Sequence, residues 1–388
     1  LHGVRVLELA HIMAGPVCGV MLADLGADVI KVEKMPGGDD SRRMIPPKVG
    51  EESAAFMMMN RNKRGIAINL KKEQGKEILR KLVAEADVLI ENYRHDTMEK
   101  LGLGYEELEQ INPRLVYCEI SGFGRSGPFM EQGGFDLIAQ GMSGLMSITG
   151  EEPGRSPVKV GAPLTDITAG ILGALGTVSA LMQRNNSGIG QRVDTSLFEA
   201  GIVHTYWQSA ICMATGVSPG PMGSAHPLNA PYQTFRTKDC WINVGAANQS
   251  NWERLLEVLE VPELARDPRF QDNHGRMLNL KALEVELNQV FQKRTASEWL
   301  ESLKKAGIPA GPVLNIAEMH DHEQTQAREM VTEVNHPKEG RVETIGLPIK
   351  LSETPGGVHR PSPLYGEHTK EVLLEHGFEE KTIKILEE

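Results

Sequence analysis

Cysteine is scarce in this 388-residue chain, and its four copies, Cys18, Cys118, Cys212 and Cys240, stand far apart with no C-x-x-C pair. That excludes a zinc framework of paired thiols, so no metal is expected, and it assigns the cysteines to structure in a reducing compartment. An excess of positive charge is missing too: 41 Lys and Arg face 52 Asp and Glu, a net charge of −11. A general nucleic-acid binder is thereby excluded, and any anionic ligand must meet a local basic patch. No apolar run reaches the ~18 residues of a membrane span, and "LHGVRVLELA" enters a strand without a charged leader and apolar signal core. The expectation is a cytoplasmic protein, or one processed into the mitochondrial matrix, with no membrane partner. Internal repeats and low-complexity tracts are absent as well.

What is present is an alternation of strand and helix. "VRVLEL" reads as a strand, "PVCGVMLADLG" as a helix opened by Pro16 and closed by Gly26, and "DVIKVE" as a second strand, a βαβ unit. "GIAINL", "KEQGKEILRKLVAEA" and "DVLIENY" repeat the pattern, followed by strands in "LVYCEISGFG" and "QRVDTS". Such alternation predicts a mostly parallel sheet covered by helices, with ligands at the strand carboxyl ends. "LFEAGIVHTYWQSAICMATG" reads as one helix leading outward to "VSPGPMGSAHPLNAP", whose prolines and glycines mark a junction. A hairpin in "YQTFRTKDCWINVG" and helices such as "NWERLLEVLE" and "KALEVELNQVFQKR" then make a smaller α+β domain. The expected organisation is a large domain from residues 1–220, a small one from 221–325, and a segment from 326–388, ending in a charged helix, that returns to the first.

Glu33 ends the second strand, where dinucleotide-binding folds hold a ribose, but "AHIMAGPVCG" contains no G-x-G-x-x-G, and Pro16 removes a donor where a phosphate needs one. The loops instead carry scattered cations: Lys34, Arg42 and Arg43, then Arg61, Lys63, Arg64 and Lys71, then Arg94 and Lys100. Each alone is a solvated charge. Their recurrence beside strand ends suits a ligand with several phosphates, such as coenzyme A.

"VGAPLTDITAG" sets one carboxylate, Asp166, among small and apolar residues where a helix begins. Thr165 or Asp166 at such a position serves as a helix cap. A second role is suggested by resemblance. "LELAHIMAGPVCGVMLADLGADVIKVEKMPGGDDSRR", "NRNKRGIAINLKKEQGKEIL", "DVLIENYRHDTMEKLGLGYEEL", "NPRLVYCEISGFGRSGP" and "GFDLIAQGMSGLMSITG" resemble the class III coenzyme A transferases, the group that includes formyl-CoA transferase and carnitine CoA transferase. The likeness extends through "AGIPAGPVLNIAEM" and "PLYGEHTKEVL".

The resemblance implies a Rossmann-like large domain with a smaller α+β domain, and a homodimer of interlocked rings. It implies that Asp166 is a nucleophile passing acyl groups between coenzyme A and carboxylic acids, through aspartyl anhydride and aspartyl-CoA intermediates, with Asp136 beside it. Coenzyme A thioesters are then substrates, and no prosthetic group is expected. Positions similar to the family's coenzyme contacts are Met13, Ala14, Lys34, Ile68, Asn69, Leu70, Lys71, Asn92, Tyr93, Arg94 and Lys100. Met13, Lys34, Gly133 and Asp136 depart from formyl-CoA transferase and argue against formyl and oxalate substrates. "MGSAHPLNAPYQTFRTKD" looks more like the succinyl-CoA:glutarate branch, with His226 as a candidate for an acid's distal carboxylate. The related α-methylacyl-CoA racemases carry a histidine where this chain has Phe135, which cannot move a proton. A non-catalytic acyl-CoA binder is the remaining alternative.

Overall fold

The computed structural model describes residues 1–380, which gather into two compact units. The first comprises Leu1–Leu145, Lys159–His204 and the chain from His322 onward; the second comprises Met146–Val158 and Thr205–Asp321. The last residues of the expected charged terminal helix, 381–388, lie outside the described residues.

In the first unit six parallel strands form one sheet: β1 (Arg5–Glu8), β2 (Asp28–Lys34), β3 (Lys63–Ile68), β4 (Val88–Glu91), β5 (Val116–Ser121) and β6 (Arg192–Ser196), in the order β3-β2-β1-β4-β5-β6. This is the doubly wound order, and its direction reverses between β1 and β4, where such sheets open a crevice for ligands. The central strands read as continuous apolar runs because both faces are covered. Successive residues of β1 enter opposite cores. Val6 joins Cys18, Val29, Val88 and Cys118, while Leu7 joins Ile30, Ile66, Leu79 and Leu89.

The helices that matter to the site are α1 (Ala14–Asp24), α2 (Glu73–Glu85), α3 (Asp136–Met142), α4 (Leu164–Ser187) and α5 (Leu197–Ile202). The 24-residue α4 is long and apolar enough, by length and composition, to cross a membrane. That differs from the sequence expectation, because glycine and alanine keep the helix apolar without forming an unbroken apolar run. Its glycine face packs inward. A Cβ added at Gly170 would lie 2.6 Å from the Ala14 carbonyl oxygen, and one at Gly173 2.8 Å from Ile120. The other face stays open: Ile171, Leu175 and Met182 are 45%, 62% and 72% exposed.

Beneath the β1–α1 turn lies a buried charge cluster. Glu8 receives Lys31 Nζ at 3.0 Å and Lys63 Nζ at 2.7 Å, all three side chains fully buried, and Lys31 also meets Asp39 at 2.8 Å. Gly19 exists for this cluster, since a Cβ there would stand 1.7 Å from Glu8 Oε2. Burial opposes the charge on Lys31, but Glu8 and Asp39 outweigh it and raise its pKa. Lys63 shares one carboxylate and otherwise has only neutral oxygens, Asn60 Oδ1 and the Pro16 carbonyl. Burial therefore wins and pulls its pKa down to about 8.

The second unit has an antiparallel sheet of β7 (Tyr232–Arg236), β8 (Trp241–Gly245) and β9 (Ala310–Pro312), in the order β9-β8-β7. The hairpin pairs Arg236 with Trp241, as the turn between them requires. Pro312 is tolerated because β9 is an edge strand. Helices α6 (Tyr206–Thr215), α7 (Gln249–Leu259), α8 (Leu280–Phe291) and α9 (Ala296–Lys305) complete the unit. Phe235, Ile242, Trp252, Phe291 and Trp299 form its core. The sequence predicts one helix from Leu197 to Gly216, but a 3-10 turn at Val203–Thr205 splits it, and the longer segment of the second unit begins in that turn, at Thr205.

Candidate active site

Four strand ends converge at one edge of the sheet. Met13 and Ala14 follow β1, Lys34 closes β2, Ile68 closes β3 and leads into Asn69, Leu70 and Lys71, and Asn92, Tyr93 and Arg94 follow β4. Lys100 ends the short helix Thr97–Lys100 beyond them. The two loops that flank the reversal of strand order are tied together. Asn92 Oδ1 accepts from the His11 N–H at 2.9 Å, and Asn92 Nδ2 donates to the His11 carbonyl at 2.8 Å. Ile12 adopts φ 67°, and its N–H donates to Asp39 Oδ1 at 3.0 Å. The buried cluster thus fixes the turn that presents Met13 as the residue before α1. Lys31 outweighs burial at Asp39 and holds its carboxyl well below the usual range, so this anchor stays charged.

The cations divide into two groups. Lys71, Arg94 and Lys100 are exposed, and no ion pair engages them among the described residues. Lys34 and Arg43 share Asp40. Arg61, Lys63 and Arg64, by contrast, do not reach this edge. They stand at the amino end of β3, and Arg61 pairs with Asp24, Lys63 with Glu8, and Arg64 with Asp28, Glu371 and Glu375. In a parallel sheet a strand's first residues face away from the ligand edge, which corrects the expectation that all these cations gather there. Arg42 grips Glu33 with two bonds of 2.7 and 2.6 Å. Glu33 is therefore occupied and free for no ribose.

Two carboxylates occupy the start of α4 and the start of α3, and their surroundings differ. Asp136 accepts from the Thr165 N–H at 3.0 Å, from Thr165 Oγ1 at 2.8 Å and from Gln140 Nε2 at 2.8 Å. The cap of α4 is thus Asp136, reaching across from α3. Asp166 is the third residue of α4 and caps nothing. Among the described residues no hydrogen-bond donor reaches its side chain. Burial, and then the charge of Asp136, push its pKa up to about 6. A carboxylate held ionised at neutral pH without donors keeps its lone pairs for an electrophile. Gly170, one turn on from Asp166, abuts Ala14 and Val17, so the helix that carries Asp166 is seated directly on α1, which starts at the ligand edge. Nearby, Gly122 and Gly134 touch backbone to backbone: a Cβ on Gly134 would lie 2.5 Å from the Gly122 Cα.

A family model described as CoA-transferase family III matches residues 1–369. The chain belongs to this family. It is 39% identical over 385 residues to succinate--glutarate CoA-transferase of Agrobacterium fabrum, covering 97% of this chain and 95% of that one. It is 40% identical over 351 residues to acetyl-CoA:oxalate CoA-transferase of Acetobacter aceti, covering 90% and 88%. A CAIB/BAIF family protein from Brucella suis has a similar structure, with TM-score 0.85, 40% identity, and 97% and 98% of the two chains covered. The protein is a class III CoA-transferase, an enzyme whose substrates are CoA thioesters.

In this transferase, residue-type reasoning misses two side chains that build the site, Gln140 and His11, and casts Thr165 as a helix cap where it is the residue capped. Gln140 and Thr165 fix Asp136, and His11 sits against Tyr93 with ring centroids 5.5 Å apart. Gln140 carries a readable signal, four residues after Asp136 on one helix face. His11 carries none before the fold is known. His226 lies in the second unit, between Trp207 and Tyr232 at 6.1 and 5.1 Å between ring centroids. Its Nδ1 accepts from the Leu228 N–H at 3.1 Å, and burial lowers its pKa. With Nδ1 accepting, the neutral ring carries its proton on Nε2 and can donate from there.

Proposed function

We propose that this enzyme moves coenzyme A from an acyl-CoA to a dicarboxylic acid by covalent catalysis at Asp166. The reading is carried by one observation, a donor-free, partly buried Asp166 carboxylate beside a hydrogen-bond-saturated Asp136. Asp166 attacks the thioester carbonyl, and the C–S bond breaks to leave an acyl-aspartyl anhydride and CoA thiolate. The thiolate then attacks the aspartyl carbonyl, releasing the donor acid and forming an aspartyl-CoA thioester. The acceptor carboxylate repeats the two exchanges in reverse. No proton is consumed, and a mixed anhydride conserves the energy of the thioester. Backbone N–H groups of the Gly122 and Gly134 loops are suited to the oxyanions. The coenzyme lies along Met13, Ala14, Lys34, Ile68–Lys71, Asn92–Arg94 and Lys100, where the unpaired Lys71, Arg94 and Lys100 meet its phosphates. Incubation with acyl-CoA and mass spectrometry of the Asp166 peptide tests this: no acyl or CoA adduct, with turnover intact, sinks it.

Dicarboxylate use is supported by the relatives named succinate--glutarate CoA-transferase and acetyl-CoA:oxalate CoA-transferase. A buried distal carboxylate needs donors, and we assign His226 Nε2–H as one. His226→Ala is expected to lower kcat/KM for succinate and glutarate by about tenfold, the cost of a hydrogen bond to a charged group, while a monocarboxylate of equal length changes less than about twofold. Equal losses on both acids count against the assignment. Oxalate belongs in the same panel.

A homodimer of interlocked chains is the assembly we propose, because the open face of α4 is apolar along Ile171, Leu175 and Met182 and a second copy would cover it. Leu175→Glu should lower the mass measured by light scattering to that of one chain, or yield insoluble protein. An unchanged dimer would place the interface elsewhere.

A further inference from the structure

We propose that Gln140 is a positioning residue for the nucleophile: it holds Asp136 in the orientation that caps α4 and faces Asp166, and it pins the segment leading into Asp166. The inference rests on the covalent reading above and adds a residue to it. Gln140 is 0% exposed. Its amide is used at both ends. Nε2 donates to Asp136 Oδ2 at 2.8 Å and leans on the Ala162 carbonyl at 3.4 Å, while Oε1 accepts from the Val160 N–H at 2.9 Å. Only a side chain that donates and accepts can do this.

The consequence is geometric. Val160 and Ala162 precede the first turn of α4, and Asp136 binds Thr165, the neighbour of the nucleophile. One amide therefore fixes the helix start from two directions, and a displacement of the nucleophile by ~1 Å costs up to about 100-fold in rate. Few other charged groups surround the pair. Lys159 Nζ is engaged by the carbonyls of Val160 and Gly161, at 3.0 Å each. Glu199 on α5 is bonded to Ser196, and His204 to Thr168. Asp24 on α1 is paired with Arg61, and Glu119 on β5 with Arg125 and Arg192. Asp136 is the one charge that acts on Asp166 among the described residues.

Gln140→Glu gives a pH-dependent test. A protonated carboxyl reproduces the amide, its carbonyl accepting from Val160 and its O–H donating to Asp136. Once ionised it faces Asp136 as a second anion. The profile of kcat/KM for the wild type should rise through about pH 6 as Asp166 ionises and stay level above. The variant should add a descending limb below pH 9 and lose at least tenfold there, with CoA affinity, measured by calorimetry, within about threefold. Gln140→Met, of similar volume and without polar atoms, should lose about 10- to 100-fold in kcat at every pH while still binding CoA. A level profile for Gln140→Glu, or wild-type kcat in Gln140→Met with only a lower Tm, overturns the proposal and makes Gln140 structural. Failure of the covalent reading looks different: Asp166→Ala would then remain active, whatever the Gln140 variants do.

Discussion

Replacing Asp166 by asparagine is expected to stop acyl exchange and, at the same time, to make the protein harder to unfold. The first half follows from the proposed role of Asp166 as nucleophile: turnover should fall by at least ~1,000-fold, CoA affinity should hold, and the acyl adduct on the Asp166 peptide should vanish. The second half follows from the carboxylate's surroundings. Its pKa is about 6 against an ordinary 3.8, because burial and the charge of Asp136 disfavour the anion. The folded chain therefore holds a proton that the unfolded chain has lost between those two values. That stabilising contribution is complete below pH 3.8 and is lost as pH rises through 6. At ~1.4 kcal/mol per pH unit, reduced for partial exposure, the ionised carboxylate costs about 1–2 kcal/mol at pH 8. Asparagine removes this cost. Tm should rise by a few degrees at pH 8 and by less than one degree at pH 4. A variant destabilised equally at both pH values would mean that Asp166 makes contacts that hold the fold.

The second large effect is expected at Glu8, far from any bond that is made or broken. Glu8→Gln keeps the volume but leaves Lys31 and Lys63 with Asp39 as their nearest buried carboxylate. Breaking a buried ion pair on one side costs about 3–5 kcal/mol, so the urea midpoint should fall sharply and much of the protein should be lost at 37 °C. Lys63 offers the relief. Its pKa is already near 8, and without Glu8 it sheds its proton more easily, so the deficit should shrink between pH 7 and 9. Combining Glu8→Gln with Lys63→Met should recover more than half of it. A change in midpoint too small to measure in Glu8→Gln would show that water reaches the cluster.

The scaffold was legible in the sequence wherever one period governed a segment. β1 to β5 and the helices α1 and α2 appear where alternating or continuous apolar residues predict them, whereas the short helices at Ala54–Asn60 and Tyr105–Ile111 and the order of the strands were not read from the sequence. The site was legible unevenly. Asp166 stands out because a carboxylate among glycine and alanine has no local partner. Its partner carboxylate, and the roles of Gln140 and Thr165, depend on contacts between α3 and α4 that no periodicity encodes. Arg61, Lys63 and Arg64 were open to misplacement for the opposite reason: charge density is visible in sequence, but which end of a strand it occupies decides whether it meets a ligand or the backbone of the fold. The break at Val203–Thr205 was hidden because "LFEAGIVHTYWQSAICMATG" keeps a helical pattern through the turn.

The contact between Gly19 and Glu8 restricts how the chain can drift. With a Cβ at 19 the acid at 8 has no room, and without the acid two lysines lose the reason for their burial. A substitution that removes the acid or adds a Cβ at 19 destabilises the chain until a lysine changes with it. Among descendants of this chain, Gly19, Glu8, Lys31 and Lys63 should be inherited as a block or exchanged as one, so a library that randomises them singly will recover only the starting residues, while one that varies all four together can recover an apolar replacement.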